Sequence, residues 1–161
     1  MPVLQRLASA HAPALLAFEQ ENRAYFAASV PDRGDDYFAG FDDRHRMLLA
    51  EQRAGLCHFH LLVDEGGAVL GRFNLVDVAD GSAELGFRVA ERAAGRGLAT
   101  AGVRQVCALA AGEYGLSTLR AAAARDNHGS RAVLTRTGFV PAGEVTLDGR
   151  PGQSYLRNLS G

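Results

Sequence analysis

Apolar positions recur at helical spacing across "PALLAFEQENRAYFAASV", where Leu15, Phe18, Asn22 and Phe26 form one stripe and Pro31 ends the run. "DDYFAGFDDRHRMLLAEQRAG" reads as a second helix, with Asp35 or Asp36 as N-cap and Gly55 at its close. The period then changes. "CHFHLLVDEGGAVLGRFNLVDVADGSAELGFRVA" alternates and is punctuated at Glu65-Gly66-Gly67 and at Asp80-Gly81, which predicts three antiparallel strands in a meander. Gly97 to Glu113 is helical again, with Ala99, Val103, Val106 and Ala110 on one stripe and Gly115 as its stop. "LSTLRAAAA" reads as a further strand despite alanine's poor strand preference. "GSRAVLTRTG" is a short helix, and the chain closes on a hairpin about Asp148-Gly149. With no internal repeat or linker, the pattern describes one α/β domain over residues 1–161 with a mixed sheet.

Composition narrows the chemistry. The formal net charge is −1, which offers no global field for DNA or an anionic membrane, so any anion must be held locally. The scattered aromatic residues show no stacking pattern for nucleic acid. All 17 basic residues are arginine, so a Walker A loop and a Schiff-base mechanism both lack their lysine. No apolar run approaches the length of a membrane span. "APALLAF" is short, interrupted by Pro13 and poor as a leader. Cys57 and Cys107 stand far apart. Together these features predict a cytoplasmic protein whose two thiols are reduced and buried.

The densest signal is "ERAAGRGLATAGV", two glycines around an arginine directly ahead of a helix. The first amides of a helix have no intrahelical partner, and the macrodipole favours negative charge beside them. A glycine turn that serves packing alone is the plainer reading. A Rossmann fingerprint is excluded because Thr100 occupies the third glycine's place and because hairpins, not a βαβ unit, precede the loop.

The meander, "AELGFRVAERAAGRGLAT", a helix, a strand and "RDNHGSRAVLTRTGF" together resemble the GNAT superfamily of acyl-CoA-dependent N-acetyltransferases. Within it, the likeness is to the ribosomal-protein (RimJ/RimL-like) branch. The resemblance implies a mixed, mostly antiparallel central sheet flanked by helices, with acetyl-CoA as co-substrate and no metal. The family's pyrophosphate loop, [Arg/Gln]-x-x-Gly-x-[Gly/Ala], falls on Ala94-Gly95-Arg96-Gly97-Leu98-Ala99, followed by Thr100. Ala94 departs from the family's Arg or Gln, and Arg92 or Arg96 would supply the missing charge. The resemblance further implies that Phe87 and Val89 offer backbone groups to the pantetheine arm. Asn127 would hold the same arm and Ser130 would lie near the sulfur. A tyrosine found before the Gly-Phe pair in many GNAT enzymes is replaced here by Leu134.

Acetyl transfer to an amine needs a base for the ammonium proton and a proton for the leaving thiolate. Glu84 is the candidate base: strand alternation puts Glu84, Gly86 and Arg88 on one face and Ala83, Leu85, Phe87 and Val89 on the other. A structural Glu84–Arg88 pair is the competing reading. Ser130 is the candidate acid, with an N-cap role for Asn127 or Ser130 as the alternative. His128 is a possible shuttle or a plain loop residue. His58 and His60 point the same way along one strand, but no further ligand completes a metal site. Glu19, Asn22 and Arg23 are candidates for an acceptor groove. The expected function is transfer of acetyl from acetyl-CoA to a primary amine, a protein N-terminus or a small molecule, by a monomer or homodimer. A non-catalytic acyl-CoA sensor is the alternative.

Overall fold

In the computed structural model residues 1–159 are described, and the final two positions of the expected 1–161 unit lie outside them. Four helical segments precede the meander: α1 (Ala12–Glu21), α2 (Arg23–Ala27), α3 (Asp35–Ala39) and α4 (Phe41–Arg53). Both long helices expected there are broken. Asn22 leaves helical geometry at φ −104°, ψ 9°, and Gly40 at φ −99°, ψ 20°. Asp35 and Asp36 sit in the first turn of α3, and Gly34 (φ 90°) is the cap. A strand that alternation did not predict, β1 (Val3–Arg6), pairs antiparallel with β2 (His58–Val63). It is an edge strand with little burial, so its residues carry no period of their own.

The meander forms as expected: β2, β3 (Val69–Ala79) and β4 (Ser82–Val89). Asp80 and Gly81, both at positive φ, make the tight turn between the last two. Then follow α5 (Leu98–Gly112), β5 (Thr118–Ala124), α6 (His128–Arg136), β6 (Val140–Leu147) and β7 (Arg150–Asn158). Asp148 and Gly149, again both at positive φ, close the last hairpin. The seven strands lie in the order β1-β2-β3-β4-β5-β7-β6. Every neighbouring pair is antiparallel except β4 with β5.

Alternation along β3 and β4 assigns the two faces of the sheet. Arg72 and Arg88 are register partners, and both reach Glu19 of α1. Phe73 and Phe87 are partners on the opposite face, where Phe73 meets α5 at Gly102. Of the predicted α5 stripe, Val103, Val106 and Ala110 are wholly buried in the core.

The two strand histidines are committed to structure. His58 stacks flat on Tyr114 at 3.7 Å between ring centroids. The buried ring of His60 donates from Nδ1 to the Phe73 carbonyl (3.0 Å), which leaves Nε2 to accept from the Tyr114 hydroxyl at 2.6 Å. Burial, aided by Arg6 and His58 and opposed by the bond to Phe73, lowers the His60 pKa from 6.5 to about 4. The unfolded chain therefore binds a proton at His60 in a pH range where the folded chain does not. Stability falls as pH drops from 6.5 toward 4, by on the order of 3 kcal/mol. Urea unfolding at pH 7 and pH 5 should show about 2 kcal/mol of this loss, and His60→Gln should shrink it.

Candidate active site

The parallel contact of β4 with β5 is short. Ser82, Ala83 and Glu84 pair with Thr118, Leu119 and Arg120, and no further pair forms. Beyond it, β4 stays with β3 as far as Val89, while β5 follows β7 as far as Ala124. The strands part, and the edge of β4 over residues 85–89 has no strand beside it. The opening continues as a cleft of about 740 Å³ between β4, β5, the loop before α5, the start of α6 and the segment following α2. Ala121 to Ala124 line its β5 side. Four small side chains in a central strand keep the gap open on both faces.

The glycine loop closes one end. Gly95 (φ 75°) and Gly97 (φ 74°) both adopt the left-handed region, and a Cβ at either would meet nothing within 4 Å. Backbone conformation, not crowding, requires glycine here. The consequence is electrostatic. The amides of residues 95–100 make no hydrogen bond among the described residues; the next, Ala101, donates to the Gly97 carbonyl. Consecutive free N–H groups at the positive end of a fifteen-residue helix make an anion cradle. Asn22 braces it. Its buried side chain accepts from the Glu91 amide (3.0 Å) and donates to the Phe18 carbonyl (2.9 Å), tying α1 to the start of the loop.

Most of the expected site residues meet at this cleft: Phe87, Val89, Gly95, Gly97, Leu98, Ala99, Thr100, Asn127 and Ser130 line it. Arg96 contributes its amide to the cradle, but its side chain is exposed and not part of the wall. Asn127 caps α6, its Oδ1 accepting from the Ser130 amide at 3.3 Å. Glu84 is exposed and lies one residue beyond the lining, on the face of Gly86, which does line it. The alternative Glu84–Arg88 pair does not form, because Arg88 donates to Glu19 instead. His128 is exposed and outside the wall. No cysteine and no histidine lines the cleft among the described residues. Burial raises the pKa of both Cys57 and Cys107.

Two residues expected in an acceptor groove are buried instead. Asn22 braces the loop, and Glu19, 1% exposed, is ringed by guanidinium groups. Arg33 grips it with two bonds (3.0 and 3.2 Å), Arg72 with one (2.7 Å) and Arg88 with one (3.2 Å). Burial alone would raise the Glu19 pKa, but the three arginines together hold it below its usual value. Arg23 turns away to Asp32 and Asp35. The cleft wall that sequence reasoning missed comes from Tyr25, Ser29, Val30 and Pro31, from Arg136, and from Asp148 and Arg150 in the last hairpin. A turn residue in a hairpin gives no local sign of facing a distant strand.

The chain belongs to the acetyltransferase (GNAT) domain family, whose model matches residues 3–140. It is an N-acetyltransferase, an enzyme that transfers an acetyl group to an amine. It is 27% identical over 134 residues to a probable N-acetyltransferase, YjcK, of Bacillus subtilis (strain 168), covering 80% of this chain and 74% of that protein. The fold superposes on the ribosomal-protein-S5-alanine acetyltransferase of Vibrio fischeri with a TM-score of 0.91 at 18% identity, covering 96% of this chain and 91% of that one. Mycobacterium smegmatis RimJ, in complex with CoA-disulfide, matches with a TM-score of 0.85 at 23% identity, covering 96% of this chain and 80% of its own. The likeness to the RimJ/RimL branch expected from the motifs is thus present in the fold.

The position of the cradle depends on how closely α5 seats on β3. A Cβ at Gly102 would lie 2.3 to 2.8 Å from three atoms of the Phe73 ring. That ring is stacked at 6.3 Å on Phe87 in the cleft floor. Gly102→Ala should therefore lower stability, because overpacking of about 1–3 kcal/mol outweighs a helix-propensity gain of about 1 kcal/mol. Gly112→Ala, at an exposed position with nothing within 4 Å, should do the opposite. Thermal melts of the two variants, with CoA titrations to follow α5, check the contrast.

Proposed function

We propose that the cleft binds acetyl-CoA, with its pyrophosphate on the amides of residues 95–100, and that the acceptor is a primary amine, either a protein N-terminus or a compact small molecule. The unpartnered amides at the mouth of the β4–β5 opening carry this reading, since they supply what a pyrophosphate needs without a lysine. The CoA-disulfide held by the similar RimJ supports the same ligand. The open edge of β4 at Phe87 and Val89 suits the amides of a pantetheine arm. Arg96, exposed beside the cradle, and Arg136 in the wall provide positive charge near the phosphates.

Acetyl-CoA supplies an acyl group already activated as a thioester. The protein's task is to orient the amine and manage two protons. Glu84 takes the ammonium proton, directly or through water, from an amine seated at Gly86. Ser130 lines the cleft with a hydroxyl that makes no hydrogen bond among the described residues, and it is the proton donor for the thiolate. Asn127 keeps that serine in place by capping α6. With neither a cysteine nor a histidine in the wall among the described residues, the acyl group passes to the amine without a cysteine- or histidine-bound intermediate. The chain acts as one catalytic domain, in a monomer or a homodimer.

Ala99→Asp tests the ligand cleanly. A carboxylate in the first turn of α5 stabilises the helix by about 0.3–1 kcal/mol, but it competes with the pyrophosphate for the same amides. Calorimetric titration should show acetyl-CoA affinity reduced at least 100-fold, with a thermal melt confirming that the variant is folded despite the carboxylate at a half-buried position. Undiminished affinity defeats the reading. Glu84→Gln tests the base. Acetyl-CoA affinity should persist while kcat falls by about 100-fold to 10,000-fold at neutral pH. The deficit should narrow at high pH, where the amine deprotonates unaided. A pH–rate profile that coincides with the wild type removes Glu84 from the mechanism.

A further inference from the structure

The arginine cluster on the acceptor face of the sheet has more charge than its internal partner can neutralise. Arg33, Arg72 and Arg88 share the single carboxylate of Glu19, which leaves a formal excess of two positive charges. The nearest acids offset only part of it: with Asp32, Asp35 and Asp36 set against Arg23 and Arg44, the wider group keeps a formal excess of one positive charge. Asp32 and Asp35 are both bonded to Arg23. Asp36 lines a surface depression that also holds Arg33 and Arg44, and both of those guanidinium groups lie over the Tyr37 ring. Tyr37 itself accepts from Arg72 at 3.2 Å, adding no charge. The Nε of Arg72 is buried and has no acceptor.

This surplus reaches the cleft at one residue. Arg88 is a wall residue of the β4–β5 opening, with its guanidinium seated over the Phe26 ring at 4.6 Å. Only one bond to Glu19 is drawn from it, leaving most of its donor fork free. Burial lowers the Arg88 pKa first, and the neighbouring Arg33 and Arg72 charges lower it further. An additional anion would relieve that repulsion. Gly86 is two residues away on the same face, roughly 7 Å along the strand. A side chain there would meet nothing within 4 Å, so this is open space for an acceptor.

We propose that the preferred acceptor is a primary amine carrying a carboxylate several bonds from its nitrogen, with the carboxylate held by Arg88 and the amine at Gly86. This rests on the acetyl-transfer reading above and narrows its acceptor class. The chemistry has two sources, a free amino acid or a peptide N-terminus with an acidic first residue. It disfavours polyamines, whose second cation would face the surplus positive charge.

The test uses the full chain with acetyl-CoA and five acceptors. They are glutamate, its γ-carboxamide glutamine, the diamine putrescine, and two short C-terminally amidated peptides beginning with Glu or with Gln. The expected result is kcat/KM at least tenfold higher for the carboxylate of each matched pair, with putrescine below both amides. The pair showing the larger ratio names the source. Arg88→Met should bring each ratio to within about twofold of unity, and Arg88→Lys should restore part of it. Affinities of the CoA-loaded protein for the same compounds give a readout that does not need turnover. Equal kcat/KM or equal affinity within both pairs, or a preference for putrescine, overturns the proposal while leaving acetyl transfer intact. Failure to bind acetyl-CoA would instead remove the reading beneath it.

Discussion

The site depends on a parting of strands. β4 and β5 are fastened at one end, where Ser117 and Thr118 donate to the Gly81 carbonyl and Arg120 reaches the Ser82 hydroxyl at 2.7 Å. Past that clamp each strand keeps a different partner, and neither surrenders its register to close the gap. β5 is drawn toward β7 closely enough that Gly152 would bring a Cβ within 3.1 Å of the Ala123 carbonyl. Two half-paired edges inside a sheet leave backbone polar groups without strand partners, a cost that is tolerable only where solvent or a ligand satisfies them. The cleft is the physical result of that constraint, and the loop before α5 lies at its end because α5 must cross from β4 to β5.

Helix α1 supports this opening from the other face with polar groups, which is an unusual use of a buried stripe. Glu19 gathers arginines from the loop between α2 and α3 and from two strands, while Asn22 fastens the glycine loop. A buried carboxylate without cations would be strongly destabilising, and arginines without the carboxylate would repel each other. The cluster therefore holds α1, β3, β4 and the segment before α3 in one arrangement. Its rigidity keeps Phe26 and Arg88 in the cleft wall.

Much of this was legible in the chain. Alternation gave the meander, and positive-φ pairs at Asp80-Gly81 and Asp148-Gly149 fell where the hairpins turn. Local chemistry marked the glycine loop as a candidate anion cradle beside a packing-only reading, and the resemblance to the GNAT family assigned it to a pyrophosphate. Three kinds of feature were not legible. β1 is ordered by its partner, not by its own pattern. The helix break at Asn22 serves a tertiary contact: Asn22 is polar on a helical stripe because Glu91, far along the chain, needs an acceptor. The Glu84–Arg88 pair failed for a similar reason. Strand alternation shows which side chains share a face, but the stronger partner, Glu19, came from a helix that alternation cannot see.

One strand thus presents three chemically separate surfaces. The Phe87 face of β4 is packed through Phe73 against α5, so changes there alter the cradle. The Arg88 face belongs to α1 and its charges, so changes there alter the arginine cluster around Glu19. The open edge between them is backbone, and no side chain at either face can abolish it without closing the gap itself. Gly86 is the position where these surfaces meet. It lies in the wall with open space at its Cβ, on the face of Glu84 and Arg88. A side chain at that point would fill the open space between Glu84, Arg88 and the open edge, where we propose that the acceptor amine sits.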